Sequence, residues 1–163
     1  MIHSFRNSSF RDELTGLYTE EYFMETIYRE WYRLMRENEY LTLMTAHFCP
    51  SLASDTNLEK YQRLAEILRS SLYRANDLIS RFNNNEFTIG LFNLDDNGTL
   101  AISHRINEQL NPHPELSRLV TFGAINLKPT NETLIEKVIL ETQKLAGEAL
   151  KDKNQNLMMK VIH

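Results

Sequence analysis

Between residues 20 and 36 the apolar positions Phe23, Ile27, Trp31 and Leu34 recur at helical spacing, Glu20 and Glu21 suit the positive N-terminal end, and Thr19 stands where a cap is needed. This pattern predicts a helix with one stripe on a core. Residues 40–48 form a short apolar, β-favouring run that reads as a buried strand. After a polar stretch at 50–57, Leu58, Tyr61, Leu64, Ala65, Leu68 and Leu72 restore the helical period. Beyond residues 74–77 the pattern becomes extended. Residues 78–82 and 87–92 flank Asn83-Asn84-Asn85, which predicts a β-hairpin because Asn tolerates positive φ better than other non-glycine residues. A third helix is expected over 99–110, then a Pro-containing loop, a strand over 119–127, a fourth helix over about 132–150 and a last strand over 157–162. Embedded in this order is βαββαβ. It predicts an α/β (α+β) fold with a mainly antiparallel central sheet, helices packed on one face and right-handed crossovers.

Composition narrows the class. At 163 residues, 42% hydrophobic and 25% charged with 5 Gly and 4 Pro, the chain is that of one globular domain and not of a disordered segment. A polar lead at 1–11 and a single domain at 12–163 are expected. The net charge of −4 argues against broad nucleic-acid binding, so an anionic ligand would need a local cationic cluster. No apolar stretch approaches the roughly 18 to 20 residues that span a bilayer, and no signal-peptide core opens the chain, which gives the expectation of a soluble, cytoplasmic protein without membrane insertion. Cys49 has no internal partner and reads as core. The histidines are scattered without i,i+4 pairs, so no metal is expected, and phosphate-binding Gly-rich loops and nucleophile motifs are absent. The first helix's aromatic stripe and Met158-Met159 read as core, with a partner surface as the alternative.

Three local patterns go further. Asp12-Glu13-Leu14-Thr15-Gly16-Leu17 resembles the D-x-L-T-G-L segment that opens GGDEF domains, the diguanylate cyclase family. Arg81-Phe82-Asn83-Asn84-Asn85-Glu86-Phe87 stands where that family carries R-Y-G-G-[DE]-E-F, and Val120-Thr121-Phe122-Gly123 is similar to its later V-T-x-S-x-G strand. Together, in order and in register, they cover nearly the whole chain.

The departures are as informative. In active members the Gly pair lets the hairpin backbone approach the GTP phosphates, and the next acidic residue joins aspartates on the first strand to hold divalent cations that activate the attacking hydroxyl. Here Asn83 and Asn84 replace the glycines, Asn85 replaces the acidic ligand, and Thr45 and His47 stand at the first-strand aspartate positions. Glu86 and Phe87 survive, Phe87 reading as core. The guanine-reading loop is shorter, and Gly147 and Leu150 replace the Tyr and Lys of a late family motif. The resemblance therefore implies a degenerate, catalytically inactive domain that requires no cofactor.

The family's product-inhibition site, the I-site R-x-x-D, is better preserved. Arg74-Ala75-Asn76-Asp77 lies at the family's distance from the hairpin, and Arg105 falls where a further arginine completes the site, although Tyr73 adds a residue just before it. Arginines can donate paired hydrogen bonds to guanine or phosphate, and a carboxylate accepts from the guanine N1–H and N2–H groups. Taken alone, Arg74 and Asp77 read as a solvated i,i+3 ion pair. With the family context, the resemblance implies a receptor for the bacterial second messenger cyclic di-GMP, signalling to another domain or protein, with a homodimer as a further partner state. The alternative is a non-binding scaffold or GTP-binding relic. Residual cyclase activity is the least expected outcome.

Overall fold

The computed structural model describes residues 10–72, 77–151 and 157–162, with Met158 and Val161 as backbone alone. Its elements are α1 (Glu20–Glu37), β1 (Leu41–Phe48), α2 (Asp55–Ser71), β2 (Leu78–Phe82), β3 (Glu86–Phe92), α3 (Asp96–Leu110), α4 (Pro114–Ser117), β4 (Val120–Leu127), α5 (Ile135–Lys151) and β5 (Leu157–Ile162). The strands form one sheet in the order β2-β3-β1-β4-β5, antiparallel except where β4 pairs with β5. This is the expected mixed α/β architecture.

Local chemistry sets the helix ends. Thr19 caps α1 by accepting from the Tyr22 amide, and Asn38 closes the other end in the left-handed region at φ 54°. Ser54 and Asp95 cap α2 and α3 in the same way, each accepting from an amide three residues ahead. The segment read as a Pro-containing loop holds the short helix α4, with Pro at its first turn. Four residues are too few to show a helical period in sequence.

The helices cover both faces of the sheet, not one as the sequence reading expected. Leu41 and Leu43 of β1 join Phe23, Ile27 and Trp31 of α1 and Val138 and Ile139 of α5 in one core. Met44, Ala46 and Phe48 join Leu64, Leu68, Ile102 and Ile106 of α2 and α3 in the other. Alternate residues of one strand thus serve different cores. The βαββαβ unit accounts for α2 and α3 on one face, whereas α1 and α5, which flank that unit in sequence, cover the other. The nearly continuous apolar run of β1 is the mark of a strand buried on both sides.

On β4, Gly123 is where α5 comes closest. A Cβ there would collide with the Thr142 carbonyl oxygen and the Ala146 nitrogen and stand 2.8 Å from Leu145 Cβ. Glycine lets the helix lie flat on the strand, and Thr121 Oγ1 donates to the Ala146 carbonyl at 2.9 Å beside it.

Candidate functional site

The hairpin tip between β2 and β3 turns through Asn83, which adopts φ 51°. Glu86 then opens β3 directly opposite His47 of β1, on the face covered by α1 and α5. Its Oε2 lies 3.3 Å from His47 Nδ1, while Oε1 accepts from Asn83 Nδ2 at 2.9 Å and from Gln143 Nε2 of α5 at 3.0 Å. Burial opposes its charge, but hydrogen bonds from His47 and Asn83, the attraction of His47, and the Gln143 bond outweigh it, leaving the Glu86 carboxyl below its ordinary pKa.

The rest of the tip is also engaged. Asn85 Nδ2 donates to the Phe48 carbonyl at 2.7 Å, and the Asn83 backbone N–H donates to Glu20 Oε1 at 3.1 Å. Arg81 Nη2 donates to the Asn84 carbonyl at 2.9 Å and Oδ1 at 3.2 Å, while its Nη1 reaches Asp12 Oδ1 at 3.3 Å. Phe87 is fully buried and stacked on Tyr61, with ring centroids 4.5 Å apart.

Asp12 explains the D-x-L-T-G-L motif as a structural clasp. Its carboxylate accepts from the Thr15 amide at 2.9 Å and hydroxyl at 2.7 Å, and its carbonyl accepts from Gly16 at 2.7 Å. Gly16, at φ 75°, completes the turn that places Leu17 in the core. Arg81 ties this clasp to the hairpin tip.

The first-strand positions do not fit the cation pair that active members of the resembled family hold. Thr45 is fully buried, its Oγ1 2.8 Å from Thr142 Oγ1 beneath α5. His47 faces Glu86, and both carboxylate oxygens of Glu86 already have partners. Hard divalent cations need several oxygen ligands free to converge. Among the described residues no group of three or more His, Cys, Asp and Glu side chains could hold a metal ion.

Of the second set of candidate residues, Arg105 belongs to the helix layer on the other face of the sheet. Arg74 lies outside the described residues. Asp77 is partly buried immediately before β2. Arg105, on α3, donates from Nη1 to the Ser71 carbonyl at 3.4 Å, in the last turn of α2, the helix whose chain leads on to Arg74. Packing of α2 beside α3 thus brings Arg105 to the C-terminal end of α2, three residues before Arg74 in sequence. Sequence reasoning missed the contacts that Glu20, His47 and Gln143 make around the hairpin. These residues are far apart along the chain, and only the β1–β3 register and the packing of α1 and α5 bring them to the tip.

Among the described residues no helix is long and apolar enough to cross a membrane. No protein-family model matches the chain, and no curated protein matches it significantly in sequence. Solved structures do match in fold. The FimX GGDEF domain from Pseudomonas aeruginosa superimposes with a TM-score of 0.77 at 18% identity, over 93% of this chain and 99% of that one. Diguanylate cyclase SiaD from the same organism, solved in complex with its activator SiaC, gives 0.78 at 15% identity over 99% of this chain and 65% of its own. The GGDEF domain of DgcB from Caulobacter crescentus, in complex with c-di-GMP, gives 0.69 at 13% identity over 94% and 95%. Sheet order, helix placement and these superpositions agree that the chain has the fold of a GGDEF domain.

Proposed function

We propose that this chain binds cyclic di-GMP at Arg74, Asp77 and Arg105, makes none, and passes the bound state to another domain or protein. The observation that carries the binding half is the placement of Arg105 against the last turn of α2, which leads into Arg74-Ala75-Asn76-Asp77. Two guanidinium groups and a carboxylate, if Arg74 joins Arg105 and Asp77, would match the donor and acceptor pattern of guanine and phosphate. The c-di-GMP complex of the similarly folded DgcB domain supports the ligand class.

Loss of catalysis is supported by the hairpin. Where the family presents backbone amides to phosphate, the Asn83 amide already donates to the Glu20 carboxylate. That carboxylate would repel a phosphate at the same amide. Thr45 is sealed under α5 and Asn85 replaces the acidic ligand, so the two-cation chemistry of phosphodiester formation lacks its protein ligands.

Titration calorimetry with cyclic di-GMP tests the binding half. Arg74→Ala, Asp77→Asn and Arg105→Ala are each expected to weaken binding about tenfold or more, the cost of removing a charged hydrogen-bonding partner. Unchanged affinity in all three would overturn the assignment. Incubation with GTP and Mg²⁺ or Mn²⁺ tests the other half, with no product expected.

A further inference from the structure

We propose that the seam between α1 and α5 is a docking groove for a positively charged amphipathic helix of a partner protein. Large exposed apolar side chains scattered singly need no explanation, but clustered ones mark contact surfaces. Among the described residues, Tyr28 (39% exposed), Tyr32 (53%), Leu134 (55%) and Leu140 (63%) stand along this one seam. Trp31 lies in its floor, anchored by its Nε1 donating to the Thr130 carbonyl at 3.2 Å. The groove holds about 440 Å³ at its hairpin end and about 260 Å³ beside Trp31.

The shape suits a helix. Met24, Tyr28 and Tyr32 repeat every four residues, one turn apart, on the flank of α1 that faces α5. Two neighbouring helices present a groove whose ridges interleave with those of a third. From Glu20 to Tyr32 the groove runs about 18 Å at 1.5 Å per residue, which is room for roughly three turns.

Charge selects among occupants. Glu20, Glu21, Glu25 and Glu136 line the groove and its flank, and no lysine or arginine is among the lining residues. A second copy would bring the same acidic rim against this one. Anionic lipid and nucleic acid would be repelled likewise. A helix with an apolar ridge between lysines or arginines satisfies both the floor and the rim.

The test uses two labelled helical peptides of about 18 residues, one built of leucine and lysine and the other of leucine and glutamate on the same amphipathic pattern. Binding is read from peptide anisotropy and from the fluorescence of Trp31. The cationic peptide is expected to bind about tenfold or more tightly than the anionic one and to perturb Trp31. Tyr32→Asp with Leu140→Asp should weaken it about tenfold, whereas Leu100→Asp, an exposed apolar position on α3, should not. Glu25→Lys with Glu136→Lys should shift the preference toward the anionic peptide. Unaltered circular dichroism and thermal unfolding establish that each variant is folded. Absence of cationic-peptide binding, equal binding by the groove variant, or self-association that Leu140→Asp abolishes would each overturn the proposal.

Discussion

Glu86 shows how much one side chain can tie together. In the resemblance it belongs to a metal-binding hairpin, and here it is a pin that joins the tip to β1 and α5 through His47, Asn83 and Gln143. Its pKa is lowered in the folded chain, so the stability it contributes is present above the unfolded carboxyl value of about 4.3 and is lost as pH falls through the lower native value. Glu86→Gln should therefore cost about 1–2 kcal/mol at neutral pH and progressively less below pH ~4. Urea unfolding of both proteins across that range checks it, and a difference that does not shrink with acid would contradict the role. Asp12 is the second pin. Asp12→Ala removes both turn bonds to Thr15 and the ion pair with Arg81, with an expected loss of about 1–3 kcal/mol. At this scale the sequence shows which residues match the motif, but not their partners. The D-x-L-T-G-L motif was readable as a resemblance, while Asp12 as a clasp required the coordinates of Arg81.

Between elements, the closest fit is that of α5 on β4. Two glycines give opposite expectations there. Gly123→Ala forces a methyl into the backbone of α5 and should destabilise by about 1–3 kcal/mol. Gly147 has nothing within 4 Å of where its Cβ would stand, so Gly147→Ala should stabilise α5 by about 0.5–1 kcal/mol. Thermal unfolding of the pair distinguishes the contact from backbone entropy, since replacing Gly by Ala without a clash would not lower the midpoint of Gly123→Ala. Most elements were legible because their periods are long and clean. Phe23, Ile27, Trp31 and Leu34 mark α1, and Asn83 to Asn85 mark the hairpin. The helix α4 was hidden by its length. The second covered face was written into the unbroken apolar run of β1, a signal that alternation alone does not weigh.

Across the whole molecule, the Glu86 cluster and the α1–α5 groove occupy one face of the sheet, and Arg105 belongs to the helix layer on the other. Sites separated by a packed sheet and sharing no partners are expected to be energetically additive. Glu86→Gln should accordingly leave cyclic di-GMP affinity unchanged, which calorimetry on the variant checks. The proposed receptor site rests on spacing: R-x-x-D at a fixed distance before the hairpin, and an arginine on the following helix. The most direct test of the central reading is calorimetric titration of the purified chain with cyclic di-GMP. Micromolar or tighter binding that disappears in Arg74→Ala is the predicted result, and no heat at any accessible concentration would contradict it.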